Sequence, residues 1–171
     1  MSALVLIAWG IFWTLAFGVS AHLFQIELLV VNVPVAMAVY CAARRRSVTA
    51  YSVVFTVGWF GALLSGGARG PVLLAYLVVT ALLVLSRNRL RTHTQLRLAG
   101  VAVAASMLWS RCFCMLLGVV GAGSWWKTLI QVSPLSAAMT GVFALFSHAV
   151  LSRIDPVQRL EIAGNSPLRA R

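Results

Sequence analysis

Six long apolar segments, separated by short polar or basic gaps, constrain this chain more than any other feature. They cover approximately residues 3–21, 26–43, 48–64, 71–85, 98–120 and 128–151. A helix needs roughly 20 mainly apolar residues to cross a bilayer. Six such segments in succession therefore predict an all-α integral membrane protein, built as a bundle of six transmembrane helices.

The composition agrees with a chain that is partly covered by lipid. Of its 171 residues, 61% are hydrophobic and 10% are charged, whereas about a quarter of an average soluble domain is charged. A domain of this size has too little interior to bury so much apolar surface. We expect residues 1–152 to form one membrane domain, and residues 153–171 to form a basic cytoplasmic tail.

The distribution of basic residues predicts how the bundle is oriented. Three arginines lie in the second gap, four in the fourth gap and four in the tail, whereas the first, third and fifth gaps hold only Arg69 and Lys127. Because cytoplasmic loops carry an excess of Lys and Arg, both termini are predicted to be cytoplasmic. The net charge of +11 is then explained by the basic residues of the cytoplasmic loops and tail. It predicts attraction to anionic lipid at the inner loops and no nucleic-acid partner.

The residue types that carry catalysis or bind metals are few and dispersed. The acids are Glu27, Asp155 and Glu161, and the histidines are His22, His93 and His148. No acid/base pair, nucleophile motif, phosphate loop or metal-ligand spacing is present. The sequence therefore predicts a protein that is not an enzyme and that uses no cofactor or metal.

The candidate polar residues at membrane depth are Asn32 and Arg111. A charged residue at membrane depth is costly and indicates a functional role. Arg111 either pairs with Glu27, near the outer end of the second segment, or with a group on a partner protein. The alternative is that the Arg111 side chain extends to the outer headgroups.

Two stretches resemble the rod shape-determining protein MreD family. Residues 34–45 read PVAMAVYCAARR, a proline early in a helix that ends in a basic turn, and residues 55–70 read FTVGWFGALLSGGARG. The positions that fit the family pattern in the second stretch are Gly58, Leu63, Leu64, Ser65, Gly66 and Gly70. The family's usual acidic residue falls on Ala62, and its usual Pro-Leu falls on Ala68 and Arg69.

The resemblance implies a function in the bacterial inner membrane. It implies a non-catalytic scaffold of the cell-wall elongation complex, whose partners are an MreC-like bitopic protein, an MreB-like filament, a RodA-type synthase and a class B penicillin-binding protein. Small residues allow close helix approach, so a partner interface is expected at Gly58, Gly61, Ser65, Gly66 and Gly70. The alternatives are the substrate-binding membrane subunit of a vitamin-type transporter, which has a similar size and helix number, and a membrane enzyme.

Overall fold

Every regular element that the structure describes is an α-helix. The computed structural model describes residues 3–24, 31–64, 69–87, 95–120 and 133–154. The helices, in chain order, are α1 (Ala3–Phe24), α2 (Val33–Arg44), α3 (Ser47–Leu64), α4 (Arg69–Leu85), α5 (Gln95–Val120) and α6 (Ser133–Ile154). Over these residues the predicted all-helical fold is confirmed. By length and composition α1, α3, α5 and α6 could each cross a membrane, whereas α2 and α4 are shorter apolar helices.

The short helix α2 forms the centre of the bundle. It contacts each of the other five helices, and the contacts α1–α3, α3–α4, α4–α5 and α5–α6 arrange those five around it. Aromatic side chains of α1 and α6, among them Trp13, Phe17 and Phe143, close the ring. All residues from Val33 to Ala43 are buried. The central helix therefore contacts protein along its whole length, and the five outer helices carry the exposed apolar side chains.

Most described arginines lie at one end of the bundle, which we call the basic end. They belong to the gaps and the tail that the sequence predicts to be cytoplasmic. Trp9, near the start of α1, donates a hydrogen bond to Ser147 near the end of α6, and Arg44 at the end of α2 contacts the adjacent His148. These contacts place the start of α1, the end of α2 and the end of α6 at the same end of the bundle. The arginines at the basic end are Arg44, Arg45, Arg46, Arg87, Arg97 and Arg153. Arg69 begins α4 at the opposite end.

The second helix is shorter than the apolar segment 26–43 indicates. It begins at Val33, since Asn32 is its N-cap: the Asn32 side chain accepts a hydrogen bond from the backbone N–H of Val35. Pro34 follows in the first turn, where a proline is favoured because no backbone donor is needed there. Asn32, expected at membrane depth, therefore starts a buried half-length helix. The earlier part of the segment, residues 26–30, lies outside the described residues.

Two glycines allow neighbouring helices to approach closely. A Cβ atom added at Gly10 of α1 would lie 2.6 Å from a methyl group of Val57 on α3. A Cβ atom added at Gly141 of α6 would lie 2.5 Å from Val103 and 3.3 Å from the backbone oxygen of Ala99, both on α5. Small residues at such crossings let membrane helices pack backbone to backbone. These two contacts set the spacing of α1–α3 and α5–α6.

Candidate functional site

A cavity of about 340 Å³ lies at the N-terminal end of α2, on the side of the bundle away from the basic end. Five helices or their adjoining residues contribute to its lining. The lining residues are Thr14, Phe17, Gly18, Val31, Pro34, Gly61, Leu64, Val72, Tyr76, Trp109 and Phe113. Thr14, Pro34 and Tyr76 are buried, whereas Gly18 and Leu64 are exposed. The cavity therefore runs from a buried floor to an open rim.

The cavity exists because α2 begins late. The outer helices α1, α3 and α5 continue past the level at which Asn32 caps the central helix. Within the described residues, no helix fills the axis of the bundle above Val31 and Pro34, which form the floor. The short Asn-Val-Pro sequence at residues 32–34 is thus the local cause of the cavity. Hydropathy alone does not reveal it.

The N-terminus of α2 has no backbone donor left for an anion. A helix normally leaves four N–H groups unpaired at its start. Here the N–H of Val33 donates to the Val31 carbonyl, that of Val35 to the Asn32 side chain, and that of Ala36 to the Asn32 carbonyl, while Pro34 has none. The floor therefore lacks the free donors with which helix N-termini bind phosphate or carboxylate.

Aromatic side chains form one wall of the cavity. The rings of Tyr76 and Trp109 stack with centroids 4.9 Å apart, and Trp109 stacks on Phe113 at 5.3 Å. A Cβ atom at Gly58 would lie 3.0 Å from Cδ2 of Tyr76, so the absence of a side chain at Gly58 leaves room for the tyrosine ring. The wall joins α3, α4 and α5 without any charged group.

The polar groups of the described lining are few. The Thr14 hydroxyl donates to the carbonyl of Gly10, 2.8 Å away, within its own helix. None of the lining residues carries a charged side chain. As far as the described residues show, the cavity suits an apolar or aromatic group, and a buried charge would meet no compensating partner there.

The residues expected to form a partner interface lie in different surroundings. Gly58 is buried against Tyr76, Gly61 lies on the cavity wall, and Gly70 is exposed with nothing near its Cβ position. Ser65 and Gly66 lie outside the described residues. The structure thus brings Gly58 and Gly61 to the cavity region and leaves Gly70 at the surface.

The expected intramembrane pair Arg111 and Glu27 is described only in part. Arg111 is exposed on α5, between the cavity-lining residues Trp109 and Phe113 in sequence. Glu27 lies outside the described residues. The pairing of Arg111 stays a prediction.

A second polar cluster lies near the basic end, at the C-terminus of α2. The guanidinium of Arg44 lies 3.4 Å from Nε2 of His148 on α6. The Tyr40 ring lies edge-on to the His148 ring, with centroids 5.8 Å apart. His148 is 4% exposed, and its Nδ1 atom has no hydrogen-bond partner in the described part of the chain. The sequence predicts only an interfacial position for His148, near the inner end of the sixth apolar segment, and gives no signal of this contact.

The described residues define a helical bundle of membrane type with an apolar cavity at one end. Within them, no three side chains of His, Cys, Asp or Glu are grouped as a metal site. No family model, curated protein or solved structure matches the chain.

Proposed function

We propose that this chain is a non-catalytic scaffold of the bacterial cell-wall elongation complex, crossing the inner membrane six times with both termini in the cytoplasm. The resemblance of residues 34–45 and 55–70 to the MreD family supports the assignment. The orientation is supported by the arginines of the basic end, because positively charged residues favour the cytoplasmic side. In this orientation the cavity opens toward the periplasmic side.

The apolar cavity is the observation that carries the proposal. Its volume, its aromatic wall and its floor without free donors suit an apolar side-chain group of a partner better than a charged ligand. An MreC-like bitopic protein would supply that group next to its own membrane helix. Gly61, on the cavity wall, allows the group to approach the backbone of α3.

The remaining partners belong to other surfaces of the bundle. An MreB-like filament and anionic lipid would meet the basic end, where six described arginines lie. A RodA-type synthase and a class B penicillin-binding protein would pack against the exposed apolar sides of the outer helices. This scaffold couples its partners by position and performs no reaction.

The experiment that tests the proposal fills the cavity. A Cβ atom at Gly61 would meet only Pro34 and Thr14, each at 3.8 Å, so Gly61→Leu extends into the cavity without a clash at the first atom. Gly100→Leu is the matched control, because a Cβ there has open space and the residue does not line the cavity. The tagged variants are recovered from native membranes in mild detergent, and co-purified proteins are identified by mass.

The proposal expects the unmodified chain and the Gly100→Leu variant to recover an MreC-like protein, and the Gly61→Leu variant to lose most of it. Equal recovery by all three would remove the cavity from the interface. Recovery of no wall-synthesis protein by the unmodified chain would overturn the scaffold assignment.

The cavity also favours a second candidate, the substrate-binding membrane subunit of a small-molecule transporter. Its volume of about 340 Å³ falls within the roughly 300–1,000 Å³ of small-molecule sites. Such a subunit would co-purify with an ATPase and a coupling protein rather than with wall synthases. Its ligand would be neutral and largely apolar, because the described lining offers no charged group.

A further inference from the structure

Two hydrogen bonds fix the central helix α2 to α6, one near each of its ends. At the cavity floor, the backbone N–H of Asn32 donates to the Thr140 hydroxyl, 2.9 Å away. At the basic end, Arg44 contacts Nε2 of His148 at 3.4 Å. The helices run parallel along this contact, since residue numbers increase together on both. These two contacts hold both ends of α2 against α6, one of the five helices that surround it.

The Arg44–His148 contact requires a neutral histidine. A guanidinium only donates hydrogen bonds, so Nε2 must accept, and the ring proton must reside on Nδ1. If His148 takes up a proton, Nε2 becomes a donor that faces a second donor. Two positive charges then lie side by side in a partly buried place, where their repulsion is screened less than in water.

We propose that protonation of His148 releases the C-terminus of α2 and thereby opens the floor of the cavity at the other end of the same helix. Asn32 and Arg44 lie at opposite ends of α2, which is only 12 residues long, so a shift of the helix at one end also changes its position at the other. This inference concerns regulation of the cavity that the proposed function uses, but it needs no partner to be tested.

Besides Arg44, which contacts its Nε2 atom, and the partly buried Arg45 next to Arg44, other charged and titratable groups lie near His148. From α2 these groups are Tyr40, whose ring packs on His148, and Cys41, in the same buried cluster as Tyr40. To that cluster α1 and α3 contribute apolar side chains, Leu6, Ala50 and Val53. Arg97 on α5 and Arg153 on α6 itself are exposed.

The test measures thiol reactivity at the cavity floor in the full chain, reconstituted in lipid nanodiscs. Cys41, Cys112 and Cys114 are replaced by Ala, and a single thiol is introduced at the floor by Val31→Cys or at the rim by Gly18→Cys. Dividing the floor rate with a small methanethiosulfonate by the rim rate cancels the intrinsic pH dependence of the reaction. The ratio is measured between about pH 8 and about pH 4, which extends below the interval in which histidine ordinarily titrates, because burial and the adjacent Arg44 oppose protonation of His148.

The ratio should rise roughly threefold to tenfold on acidification, as the loss of one hydrogen bond predicts. It should stay flat in the His148→Gln variant, whose amide oxygen accepts from Arg44 without titrating. Ser147→Ala, which removes only the weak contact with Trp9, should keep the rise. A flat ratio in the parent chain, or the same rise in His148→Gln, would overturn the inference. Loss of partner binding in the cavity-filling experiment would leave these outcomes unaffected.

Discussion

At the scale of single residues, the Thr140 hydroxyl joins two helices that are far apart in sequence. It accepts from the Asn32 N–H at 2.9 Å and donates to the carbonyl of Ser136 at 2.7 Å. Thr140→Val keeps the shape but leaves a buried N–H unpaired, which costs about 1–3 kcal/mol. We expect a lower unfolding temperature in detergent, measured by the loss of helical circular dichroism. Thr140→Ser keeps the hydroxyl and should stay near the parent value.

Gly141 makes a second prediction at this scale. Gly141→Ala places a methyl group against Val103 and the backbone oxygen of Ala99, and only movement of a helix can relieve the backbone contact. Overpacking of this kind costs about 1–3 kcal/mol. Gly100→Ala on α5 is the control, because its Cβ meets nothing within 4 Å and alanine favours the helix. Unfolding of both variants at the same temperature would contradict the close α5–α6 contact.

At the scale of elements, α2 differs from its neighbours in having no lipid-facing side. Ala38, in the middle of α2, is 1% exposed, whereas Ala104 on α5 is exposed. Ala38→Leu should therefore destabilise the bundle by about 1–3 kcal/mol through overpacking. Ala104→Leu should change stability little, because the added atoms meet the hydrocarbon. Equal unfolding temperatures for the two variants would place α2 at the lipid surface instead of the centre.

The sequence predicts the helices better than it predicts their arrangement. The length of each apolar segment and the arginine-rich gaps indicate the helices. Each segment that enters lipid must pair its own backbone N–H and C=O groups, and a helix does this without help from other segments. The late start of α2 depends on Asn32 and Pro34, two residues that leave the average hydropathy of the segment nearly unchanged. Trp109 and Phe113 are four residues apart and so share a helix face. Their meeting with Tyr76 of α4 depends on the packing of whole helices, which no local pattern contains.

At the scale of the whole molecule, the structure predicts on which side of the membrane the two termini lie. The prediction depends on the arginines of the basic end and on the antiparallel arrangement of α1 and α6. The start of α1 and the end of α6 lie together at the basic end, where Nε1 of Trp9 donates to the Ser147 hydroxyl, 3.4 Å away. Positive charge favours the cytoplasm, so a reporter fused to either terminus should report a cytoplasmic position. Alkaline phosphatase, active only in the periplasm, should be inactive at both termini and active when inserted after residue 66.

Other reporter results would distinguish an error in the orientation of the bundle from an error in the number of crossings. Activity at both termini, with none after residue 66, would keep the bundle but invert it, and the cavity would then face the cytoplasm. Activity at one terminus alone would require an odd number of crossings and would contradict a bundle in which α2 turns the chain back. Replacing Arg44, Arg45 and Arg46 together by Gln should weaken the cytoplasmic preference, since these three adjoin the turn between α2 and α3. The same replacement at Arg69, on the far side, should strengthen it.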